Sequence, residues 1–78
     1  MGKIANYIPL TKVNKNESAC VVEIKTNDIP KVRKLAAFGL MPGSLVKVIQ
    51  KYPAIVIQSG YTQLALDEDI AAEIIVEP

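Results

Sequence analysis

The side chains able to do chemistry in this chain are few. Its 78 residues include one cysteine, Cys20, and no histidine. Without an imidazole there is no Ser-His-Asp arrangement, no side chain that titrates unaided near neutral pH, and no histidine-ligated metal. A catalytic thiol needs an activating partner. Cys20 instead has Val and Ile for neighbours, so it reads as a small buried hydrophobe. The acidic run Asp67, Glu68, Asp69 and Glu73 is the one cluster that could meet a hard cation. A helical turn would put Asp69 and Glu73 on one face, which makes them weak metal candidates. The dipole at a helix start is the stronger account of such carboxylates, and oxygen-only ligands discriminate poorly among divalent metals. The basic trio Lys31, Arg33 and Lys34 reads as a solvated helix face. The tyrosines that could stack on bases are scattered and the formal charge is +1, so no nucleic acid is expected. No glycine-rich loop runs into Lys-Ser or Lys-Thr to hold a nucleotide. The chain is therefore read as a non-enzyme with no cofactor, and its chemistry as surface recognition.

Two corners suit that role. Leu40-Met41-Pro42 and Tyr52-Pro53 put apolar groups on turns, where chains are normally polar. With Arg33 from the adjoining helix, the candidate partner-binding residues are Arg33, Leu40, Met41, Pro42, Tyr52 and Pro53. The same apolar groups could instead plug the ends of a small barrel.

The elements that must hold these corners follow from spacing and turn chemistry. Ile8-Pro9-Leu10 suits a short edge strand, where proline is tolerated, and Asn14-Lys15-Asn16 a polar turn. Ser18 to Ile24 alternates as a strand, with Cys20, Val22 and Ile24 expected on one face and Val21 on the other. Asn27 or Asp28 caps a helix of about ten residues from Ile29, with Pro30 where a missing N–H costs nothing. Ile29, Val32, Leu35 and Ala36 keep helical spacing. Gly39 suits the left-handed stop, and Pro42-Gly43 a type II turn. Strands follow over Leu45 to Gln50, Ala54 to Ser59 and, after a tight turn at Gly60, Tyr61 to Leu66. Asp67 caps a single helical turn, and Ile74 to Val76 closes the chain as a strand. The expected fold is mainly β, a small SH3-like, partly open barrel of about five strands. One short α-helix is inserted, and a short helical turn precedes the last strand.

Composition bounds the rest. A chain of this length supports one modest core, here aliphatic, since half the residues are apolar and few of them aromatic. Residues 1–7 are expected to be a flexible N-terminus and 8–78 a single domain. A lone cysteine fits a reducing compartment. No apolar run approaches the ~18–20 residues of a membrane span, and no signal-peptide pattern opens the chain. A cytoplasmic protein without membrane insertion is expected.

Taken together, these words resemble the bacterial ferrous iron transport protein A family, FeoA, over about residues 8 to 77. Arg33, Leu35, Gly39-Leu40 and Pro42-Gly43 carry an Arg-x-Leu-x-x-x-Gly-Leu-x-Pro-Gly word. Leu10 and Glu17 precede it; Val46, Val48, Pro53, Ile55, Gly60, Leu64-Ala65-Leu66, Ala71 or Ala72, Ile74 and Val76 follow. The chain departs from the family pattern in three places. Asn16 stands where a glycine is usual, the loop from Pro53 to Ile55 is shorter, and the helix is less arginine-rich. The resemblance implies a cytosolic accessory protein of ferrous iron uptake. Its partner would be the cytosolic GTPase part of the membrane transporter FeoB, which would recruit it to the inner membrane face. The alternative it implies is a stand-alone SH3-like regulatory module, related to the C-terminal domain of iron-dependent transcriptional repressors, with weak divalent transition-metal binding.

Overall fold

Backbone hydrogen bonding gathers the strands into one antiparallel sheet, seen in a computed structural model that describes residues 6–78. The expected flexible terminus lies, for residues 1–5, outside the described residues. The strands are β1 (Ile8–Pro9), β2 (Ser18–Ile24), β3 (Leu45–Gln50), β4 (Ile55–Ser59), β5 (Thr62–Leu66) and β6 (Ile74–Glu77). Two helices interrupt them, α1 (Ile29–Ala37) and α2 (Glu68–Glu73), and a 3-10 turn covers Leu10–Lys12.

The sheet order is β1-β6-β2-β3-β4-β5. Its middle is a run of local pairings, but the last strand inserts between the first two. Ile8 pairs with Val76 on one side of β6, and Val21 pairs with Val76 on the other. β1 and β5 end the sheet without pairing to each other, so the barrel is open. As expected, the proline-bearing strand lies at an edge.

The core is aliphatic, and among the described residues no polar or charged side chain is buried. Val21, Val46, Val48, Ile57, Ile74 and Val76 supply it from the strands, each worth about 1.5–3 kcal/mol of burial. β2 corrects the expected facing. Ala19 and Val21 point into the core, and Cys20 is half-buried on the opposite face. The register of β2 against β6 shifts between Val21 and Glu23, and after the shift Ile24 packs on the core. A bulge of this kind flips the alternation, which a strict period of two cannot follow.

α1 begins and ends as its residues dictate. Asp28 accepts a hydrogen bond from the Lys31 N–H through Oδ1 (3.2 Å), with Pro30 in the first turn. Of the predicted stripe only Leu35 is buried; Val32 and Ala36 are half-buried and Ile29 is exposed. The helix thus rests on the sheet through a narrow contact. α2 is capped at Asp67 by main chain alone, whose carbonyl accepts from the Ala71 N–H (2.9 Å).

Candidate docking surface

Every feature of the Leu40-Met41-Pro42 corner follows from how α1 stops. Gly39 takes φ +87°, the left-handed conformation that only glycine adopts cheaply. The Gly39 N–H then donates to the Ala36 carbonyl (2.9 Å) and the Leu40 N–H to the Leu35 carbonyl (2.9 Å). This pair of bonds is a Schellman motif, and its customary apolar contact joins the residue after the glycine to the last turn of the helix. Leu40 and Leu35 are both in the buried core.

The motif settles the fate of Leu40. With 0 % of its surface exposed it is a core residue, and its assignment to the docking surface is corrected. The chain reverses immediately afterwards. Pro42-Gly43 forms the expected turn, with Gly43 at φ +96° and the Ser44 N–H donating to the Met41 carbonyl (3.0 Å). Ser44 fastens the corner further, since its Oγ donates to the Gly39 carbonyl (2.6 Å) and accepts from the Met41 N–H (3.4 Å). The Gly43 N–H donates to Val21 (2.7 Å), and the Val21 N–H donates to Ser44 (2.8 Å), which ties the turn to β2.

What this frame presents is apolar. Met41 is 44 % exposed, Phe38 42 % and Leu45 67 %, and Pro42 is exposed as well. Phe38 and Leu45 were not singled out from the sequence. Leu45 had a signal, because it shares the outward face of β3 with Lys47, whereas Phe38 lies past the end of the helical stripe and had none. Arg33 and Lys34 are exposed on α1 nearby in sequence.

Tyr52-Pro53 does not join this corner. The corner precedes β3 and the tip follows it, so the six residues of β3 separate them by roughly 20 Å at about 3.3 Å per residue. Tyr52 is 87 % exposed over a separate cleft of about 250 Å³. Lys51, Pro53, Leu66, Asp67 and Glu68 line that cleft with it. The six candidates thus divide into Met41 and Pro42 on the corner, Arg33 exposed midway along α1, a distant pair of Tyr52 and Pro53, and buried Leu40.

Asp69 is exposed and Glu73 half-buried on α2. Among the described residues no group of three or more His, Cys, Asp or Glu side chains draws together to hold a metal. Among them, too, no helix is long and apolar enough to cross a membrane.

A family model for the FeoA domain matches residues 8–78. Among solved structures, an iron uptake regulatory protein (FeoA) superposes with a TM-score of 0.79 at 26% identity, over 92% of this chain and 96% of that one. The Stenotrophomonas maltophilia FeoA complexed with zinc, described as a procaryotic SH3 domain protein, superposes with a TM-score of 0.76 at 24% identity, over 88% of each chain. The T. acidophilum IdeR gives 0.80 at 23% identity over 99% of this chain, which spans only 36% of that protein. No curated protein matches the chain significantly. The fold is SH3-like and mainly β, as the turn and strand pattern predicts.

Proposed function

The chain belongs to the FeoA domain family, and from that premise we propose that it is a non-enzymatic accessory protein of ferrous iron uptake. Its single SH3-like domain acts in the cytoplasm by docking on the cytosolic GTPase part of the membrane transporter FeoB. The apolar corner of Phe38, Met41, Pro42 and Leu45 is the docking surface, with Arg33 on the adjoining helix contributing charge. The observation that carries this reading is the exposure of those side chains on a frame held by Ser44 and the Gly39 stop. Exposed apolar groups on a fixed turn suit partner recognition, and methionine adapts to the surface it meets. The description of the S. maltophilia protein raises the role of a ferrous iron transport activating factor, which docking of this kind would serve.

The test is an amide-shift titration of the labelled protein with the transporter's cytosolic GTPase domain. Shifts should centre on Phe38 to Leu45, and Met41→Glu should weaken docking about tenfold or more, the loss of a well-packed contact. Tyr52→Ala should leave the affinity within about twofold, because the tip lies at the other end of β3. The reverse pattern would move the surface to the Tyr52-Pro53 cleft. Ferrous iron alone, added anaerobically, should leave the amides around Asp69 and Glu73 in place. Saturable shifts there would favour a metal-binding regulatory module instead.

A further inference from the structure

The open sheet has two ends, and they are finished differently. β1 is two residues long and carries Pro9, which has no N–H to offer a neighbour. β5 is five residues long, Thr62-Gln63-Leu64-Ala65-Leu66, with no proline, no charge and an unbroken register against β4. Proteins normally blunt such an edge with one of those devices. The two-residue loop Gly60-Tyr61 makes Ser59 and Thr62 a hydrogen-bonded pair, and alternation does the same for Ile57 with Leu64 and Ile55 with Leu66. The N–H and C=O of Gln63 and Ala65 therefore point away from β4. Among the described residues no other backbone group bonds them, and both side chains are exposed.

We propose that this edge pairs antiparallel with the same edge of a second copy, about a two-fold axis at Leu64. In that register Gln63 of one copy and Ala65 of the other exchange N–H···O=C bonds in both directions, and the axis repeats the exchange. Leu64 faces its own counterpart, Thr62 faces Leu66, and Tyr61 faces Asp67. Glu68 falls opposite Gly60, so no charge meets its like. A two-fold interface requires one surface to complement itself, and this uncharged segment does. That self-complementarity selects a second copy over a strand of unrelated sequence. A single pair of strand edges buries little apolar area, so the dissociation constant is about a millimolar or a few-fold below.

Sedimentation and amide exchange from micromolar to millimolar protein test this. The average mass should rise with concentration while the amides of Gln63 and Ala65 gain protection. Ala65→Pro deletes the outward N–H and leaves the β4 ladder intact, so it should weaken association about tenfold or more. Gln63→Lys with Ala65→Lys sets lysines opposite each other across both pairs and should abolish association. Gln63→Lys with Ala65→Glu sets opposite charges there and should restore it. A chain that stays monomeric at every concentration overturns the proposal, as does a dimer on which the two charge variants act alike. A monomer whose docking on the GTPase domain is weakened by Ala65→Pro would give the edge to a foreign strand, and overturns it equally.

Discussion

Asn16 shows how one residue can carry a backbone demand. It holds φ +71° in the turn before β2, and its N–H donates to the Val48 carbonyl (2.6 Å), which fixes the turn against β3. A left-handed backbone explains why glycine is the residue that the FeoA resemblance leads one to expect there, and asparagine is the side chain that tolerates it best. Asn16→Ala should therefore cost about 1 kcal/mol in urea unfolding. Asn16→Gly should lie close to neutral, relief of strain being offset by a freer unfolded chain. Residues of this kind were legible, because Gly39, Pro42, Gly43 and Asp28 each meet a local requirement written in their own chemistry. Leu40 was not. Whether an apolar residue after a helix stop turns inward depends on the two bonds of the Schellman motif, and the residue type alone does not say.

The elements were found where periodicity and caps placed them, but not always facing as expected. Reading β2 with an unbroken period of two put Cys20 inward; the bulge beyond Val21 gives that face to Ala19 and Val21. Nothing in Val21-Val22-Glu23 announces the bulge, which comes from pairing with a strand some fifty residues later. α1 was located correctly, yet it buries only Leu35. Its persistence rests more than usual on its ends. Asp28→Ala should cost about 1 kcal/mol, read as faster amide exchange in the first turn of α1 with the sheet unaffected. Uniform acceleration across β2 and β3 would mean that the helix and sheet open together.

At the scale of the whole molecule the sequence was least explicit. Adjacent strands joined by short turns pair predictably, and β3, β4 and β5 do. The insertion of β6 between β1 and β2 has no local signal, since it is decided by which apolar faces must meet. The strand at the end of the chain is therefore the keystone of the sheet. Removing residues 74–78 should abolish the dispersed amide spectrum, because Ile74 and Val76 leave the core and β1 loses the strand it pairs with. A truncated chain that still gives a dispersed spectrum would show that β2 to β5 suffice. The corner beyond α1 has its own consequence for the manner of association. Its main chain is already fixed by Ser44 and by the bonds to Val21, so a partner arriving there has only the side chains of Phe38, Met41 and Leu45 to order. Each costs about 0.5–1.5 kcal/mol to immobilise, with no loop to fold. Encounter and docking then coincide, and the observed rate should climb linearly with partner concentration without reaching a plateau.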